Sequence, residues 1–188
     1  AGAVAGRGVG APVAGLRVVP LHGRTGRRHV GLPRRLLLKL RDDPDREVRI
    51  AVALRLEDAD LAPLMRDPDY SVRLRVAKRV PEGMLPAMMH DEDAEVRLEI
   101  ANRIGLEWLM SMAWDDSGRV RMVVARRLPP EKLAALARDP DWCVRFVVAS
   151  RIDPDYLEPL TRDPVDEVRT VAQQRLAGVA ADSDLIPD

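Results

Sequence analysis

One motif returns every 24 residues, and that period leaves the chain few ways to fold. A Val-Arg pair stands at Val48-Arg49, Val72-Arg73, Val96-Arg97, Val120-Arg121, Val144-Arg145 and Val168-Arg169. An Asp precedes each Val by five places: Asp43, Asp67, Asp91, Asp115, Asp139 and Asp163. A second Arg follows it by seven, at Arg55, Arg79, Arg103, Arg127, Arg151 and Arg175. Six in-phase copies without an insertion define a repeat protein, in which each unit packs on its neighbours.

Within a unit the signals are helical. The opening Asp is followed by Pro in four copies (Pro44, Pro68, Pro140, Pro164), which suggests an Asp N-cap with Pro at the first helical position. Asp45, Glu47, Asp69, Asp93 and Glu95 suit the positive end of the helix dipole. Numbering places from the Val of each Val-Arg pair, apolar residues recur at places four, five and eight, one side of a helix at 100° per residue. Place two (Ile50, Leu74, Leu98, Met122, Phe146) widens that arc, which predicts burial on more than one side of a helix about 12 to 14 residues long. Pro81, Gly105 and Pro129 end it. A short piece follows with apolar residues three apart, such as Leu61/Leu64 and Leu133/Leu136, a spacing that favours a 3₁₀ or single-turn helix. The expected architecture is all-α, a solenoid superhelix of alternating α-helices and short 3₁₀-helices. A 24-residue unit cannot bury enough apolar surface to fold alone, so stacking is obligatory.

Charge divides the chain unevenly. Residues 1–41 hold nine of the 30 basic residues and none of the 30 acidic ones, leaving 21 basic against 30 acidic in the remainder. Residues 1–31, with eight of the 12 Gly, are expected to be a flexible basic Gly/Arg-rich arm or to stand in place of another domain. Gly6-Arg7-Gly8-Val9-Gly10-Ala11 matches a loose dinucleotide fingerprint but lacks the strand, helix and acidic residue that would make it one. Residues 32–188 are read as the solenoid: a half-unit around Leu37 and Leu40, six units, and a polar C-terminal cap after Leu176. One Cys excludes an intramolecular disulfide and favours a reducing cytoplasm, and no stretch is apolar enough to span a membrane.

The unit Asp139-Pro140…Val144-Arg145…Val148-Ala149…Arg151-Ile152…Leu157…Leu160 resembles the leucine-rich repeat variant, or LRV, family over residues 32–176. The resemblance implies a right-handed superhelix of alternating α- and 3₁₀-helices. It also implies, in nitrogen-fixing bacteria, a small N-terminal domain that holds a 4Fe–4S cluster through cysteines. Residues 1–41 contain no Cys, and Cys143 lies deep in the repeats, so the cluster transfers to no residue of this chain.

No acid–base pair, phosphate loop or activated nucleophile stands out, which argues against an enzyme. Cys143 has no nearby base, and His22, His29 and His90 have no partners for a metal, so catalytic, cofactor and metal residues are set at none. The arginines at place one (Arg49, Arg73, Arg97, Arg121, Arg145, Arg169) fall inside the apolar arc, those at place seven fall at its edge, and both sets must find partners. The Asp of adjacent turns would make a ladder of charge-assisted bonds. Arginines reaching DNA phosphates are disfavoured, because the repeats are net acidic. Place three, Ala51, Arg75 and Glu99 in the first units, becomes Val123, Val147 and Val171 in the last three. Pointing away from the core arc, these valines would form an apolar stripe beside Trp114 and Trp142, a candidate partner surface unless neighbouring units cover it. A non-catalytic scaffold for a protein partner ranks first. A redox-linked 4Fe–4S protein lacking its cluster cysteines is second, and nucleic-acid binding through the basic arm is third.

Overall fold

Asp-Pro governs how each unit begins. A residue before proline is pushed out of the α region, and Asp67 and Asp163 are accordingly extended (φ −57°, ψ 140° and φ −59°, ψ 141°). The helix therefore starts later than the sequence suggests. A computed structural model describes residues 32–178, so the arm expected over 1–31 and the tail from 179 lie outside the described residues.

The half-unit forms α1 (Arg34–Leu40), with Leu37 buried. The first three units supply α2 (Arg46–Ala53), α3 (Tyr70–Ala77) and α4 (Ala94–Arg103). After α4 comes a single-turn α5 (Leu106–Leu109), and the last three units supply α6 (Gly118–Arg127), α7 (Trp142–Arg151) and α8 (Asp166–Leu176). Short 3₁₀ segments lie between the long helices, including Ala62–Arg66, Glu82–Met88, Pro130–Leu136 and Glu158–Arg162. Their i→i+3 bonds are direct: the Leu64 amide donates to Leu61 O and the Leu160 amide to Leu157 O, each at 2.9 Å. No strand occurs among the described residues.

The long helices run 8 to 11 residues, shorter than predicted, because their caps sit two places downstream of the opening Asp. Asp45, Asp69, Asp93 and Asp141 are the N-caps, each accepting the amide of the residue two ahead. Units four and six begin at Ser117 and Val165 without a side-chain cap bond. Consecutive long helices pack side by side, and the short segments pack on the same apolar stripe. Val72, Val76, Ala77, Val80 and Leu85 from one unit, with their counterparts in the next, make a continuous buried row. At the far end Gly178 adopts φ +74°, the left-handed conformation in which glycine alone is unstrained, and closes α8.

Candidate functional site

Five of the six place-one arginines bridge two units, while the described bonds of Arg169 stay within its own unit. Arg49 directs Nε and Nη2 at the Asp67 carboxylate of the next unit, at 2.8 and 3.0 Å. Arg73 meets Asp91, Arg97 meets Asp115, Arg121 meets Asp139 and Arg145 meets Asp163 in the same two-pronged geometry, at 2.7 to 3.0 Å. Nη1 of each turns back onto its own unit, for instance from Arg73 to the Asp67 carbonyl at 2.8 Å. The carboxylate is equally employed, since Asp67 Oδ1 also accepts the Asp69 amide at 2.9 Å. The opening Asp thus shapes the turn and receives the preceding unit's guanidinium, while capping falls to the residue two places on. Asp43 accepts the Asp45 amide, and Arg169 donates to the Asp163 carbonyl and to Asp166.

These rungs are buried, with side-chain exposures of 6 to 14 % for the arginines and 3 to 7 % for their aspartates. The hydrogen bonds from Arg145 hold the Asp163 carboxyl below the usual carboxylate range. Burial works to raise the Asp115 carboxyl, but the Arg97 fork and the Ser117 amide outweigh it and leave it lowered.

Five of the six place-seven arginines, expected to share the Asp ladder, bond backbone carbonyls of the preceding unit instead, while Arg55 bonds Ala51 O of its own unit. Arg79 reaches back to the Ala53 and Leu56 carbonyls of the preceding helix end, at 2.6 and 2.7 Å. Arg103 bonds Ala77 O and Val80 O, Arg127 bonds Ala101 O, Arg151 bonds Ala125 O, and Arg175 bonds Ala149 O and Ile152 O. Each supplies a cation and donors where a helix C-terminus leaves carbonyls unpaired. Arg151 and Arg175 are lowered from the ordinary arginine value by burial. Their partners lie 23 to 26 residues away, so only the constant period hinted at them. Among the described residues no buried side-chain nitrogen or oxygen lacks a partner.

The expected apolar stripe needs correction. Val123, Val147 and Val171 are 9 %, 1 % and 3 % exposed, so in the last three units place three lies in the packing, whereas Arg75 is exposed. Places two and three sit on opposite flanks of the apolar arc, and in the last three units the short branched valine at place three is the one that is covered. Place two is more open than predicted: Ile50, Leu74, Leu98 and Met122 are half-buried and only Phe146 is buried. Trp142 (37 % exposed) shares a cleft with Phe146 and Val171. Trp114 (70 % exposed) lies elsewhere, in a polar cleft with Met89, His90, Asp91 and Asp115 at the ladder's edge.

Chemistry is sparse. Burial pushes the Cys143 thiol up, and Asp141 adds to the effect. The described residues contain no set of three His, Cys, Asp or Glu placed to hold a metal. A 4Fe–4S cluster is held mainly by several thiolates, and one Cys does not fit that group. No described helix is long and apolar enough to cross a membrane.

An obligatory stack, an Arg–Asp ladder and alternating α and 3₁₀ segments define an α/3₁₀ solenoid repeat protein. Its repeats are of the leucine-rich repeat variant type: the chain is 41 % identical to a solved leucine-rich repeat variant with a novel repetitive structural motif, with a TM-score of 0.73. That match covers 77 % of this chain and 62 % of the other, so the chain spans less than two thirds of that protein. The chain is also similar to an engineered protein (16 % identity, 77 % of this chain and 95 % of that one, TM-score 0.43). A further likeness is to YibA of Escherichia coli (21 % identity, 80 % and 75 % covered, TM-score 0.47). No protein-family model and no curated protein matches the sequence.

Proposed function

We propose that the chain is a non-catalytic scaffold that presents the outer face of its long helices to protein partners. The observation behind this reading is the partly buried apolar row of Ile50, Leu74, Leu98 and Met122 on successive helices. Apolar side chains left accessible in register along a solenoid suit an extended partner, and repeat surfaces of this kind commonly serve that purpose. The row lies on a frame whose buried polar side chains, among the described residues, are bonded internally. Polyanions are poor candidates, because the ladder arginines already hold carboxylates.

Photo-cross-linking in the host tests this. A photoreactive phenylalanine analogue at Leu74 or Leu98 is expected to give discrete protein adducts, whereas the same analogue at exposed Ala134, on a 3₁₀ segment, gives none. Equal labelling from both faces, or no protein adduct from either, refutes the scaffold reading.

A further inference from the structure

The units are not equal on the outer face. Two places before the Val-Arg Val, the chain has Arg46, Tyr70, Ala94, Gly118, Trp142 and Asp166; at place two it has Ile50, Leu74, Leu98, Met122, Phe146 and Thr170. Only the fifth unit puts aromatic residues at both positions, and Phe146 is the one Phe of the chain. They lie four apart, on one face of α7. Across the seam, α8 breaks the apolar series with Thr170 and leaves an opening of about 270 Å³ lined by Trp142, Phe146, Asp166, Glu167, Thr170 and Val171.

The shape of this opening selects its occupant. Small-molecule sites typically enclose about 300–1,000 Å³, so this cleft is nearer the size of one side chain than of a free ligand. Buried Phe146 and Val171 make apolar walls, and half-open Trp142 offers a flat indole on which an incoming chain can lie. The charge at the rim is negative. Exposed Glu167 has no ion pair among the described residues, whereas Asp166 is held by Arg169. An acidic segment would be repelled here, and a basic one would gain both an ion pair and contact with the indole face.

We propose that the α7–α8 cleft is an anchor pocket for a partner segment in which one bulky apolar side chain is flanked by Lys or Arg. The apolar group seats between Trp142 and Val171 over Phe146, and the neighbouring cation meets Glu167. This rests on the scaffold reading and adds to it a site and a partner chemistry.

Display of random peptides on the whole immobilised chain, followed by anisotropy titration of those enriched, tests the assignment. Peptides with an apolar residue beside Lys or Arg are expected to dominate. Trp142→Ala should weaken them at least tenfold, as loss of a central aromatic anchor does. Glu167→Lys should weaken them severalfold and remove their salt dependence. Both positions are solvent-exposed, and thermal midpoints near that of the parent chain verify that the variants fold. Enriched peptides with acidic flanks, or peptides that neither substitution affects, overturn the cleft and leave the scaffold standing, since they bind elsewhere. A concentration-dependent dimer in sedimentation that Trp142→Ala abolishes assigns the cleft to a second copy and overturns the peptide occupant. No enrichment over bare support, combined with no face-specific cross-link from Leu74 or Leu98, overturns both readings.

Discussion

Removing one rung of the ladder should detach one unit. In Asp163→Ala, Arg145 loses two charge-assisted bonds at 2.7 and 3.0 Å, and its guanidinium stays on a side chain only 12 % exposed. Breaking a buried pair costs about 3–5 kcal/mol, and partial solvent access at this rung argues for the lower end. The Val165 amide also loses its acceptor, at 2.9 Å in the intact chain, adding about 1 kcal/mol. Val165 opens α8 without a side-chain cap, so Asp163 is what organises that turn. Because α8 packs on α7 and on the 158–162 segment, the loss should stay local. A cost of about 4 kcal/mol corresponds to roughly a thousandfold fall in amide-exchange protection across α8, with α3 little changed. Asp163→Asn keeps one acceptor and should fall between the two. Pairing Asp163→Ala with Arg145→Met in a double-mutant cycle isolates the rung. Acid should act alike: Asp163 is depressed when folded, so its contribution is complete above the ordinary carboxylate value of about 3.9 and disappears as pH falls through the depressed one. Asp163→Ala should therefore flatten the acid limb of the stability curve. A protection loss under about fivefold in α8, or an equal loss in α3, refutes the reasoning.

Two other substitutions probe separate parts of the frame. Arg103→Met leaves the Ala77 and Val80 carbonyls unpaired and should cost about 1–3 kcal/mol in denaturant titration; an unchanged midpoint would show that water replaces the guanidinium. Val147→Asp places a carboxylate at a site 1 % exposed, and should abolish the cooperative helical transition in circular dichroism; a soluble, folded variant would return place three to the surface.

The period made the architecture legible, because a constant spacing of Val, Arg and Asp allows only neighbouring units as partners. It did not resolve which Asp caps the helix. In Asp67-Pro68-Asp69 both acids look like caps, and the choice is made by the extended backbone that proline imposes on Asp67 and by the Arg49 fork arriving from the unit before. Helix length followed that error, since moving the cap downstream shortens the helix at its front. Place seven was opaque for another reason: its acceptors are backbone carbonyls, which leave no trace in residue identity. Places two and three were ambiguous because both stand about equally far from the centre of the apolar arc. Only the seam between adjacent helices decides that Val171 is covered and Leu98 half-open.

That division of positions bears on how such a chain can acquire specificity. Places one and seven and the opening Asp bond inward, to carboxylates and to helix ends, and a change there leaves a buried group unpaired. The outer positions are less committed, since in the register two places before the Val only Arg46 and Asp166 make ion pairs among the described residues. Arg46, Tyr70, Ala94, Gly118, Trp142 and Asp166 occupy one register without disturbing the ladder beneath them. Variation can therefore collect on the outer face at little cost to folding, as single surface substitutions usually change stability by less than about 0.5 kcal/mol. By this logic the coincidence of Trp142, Phe146 and Thr170 around one cleft is not required by the fold, and the α7–α8 seam is the place where this chain's solenoid is most individual.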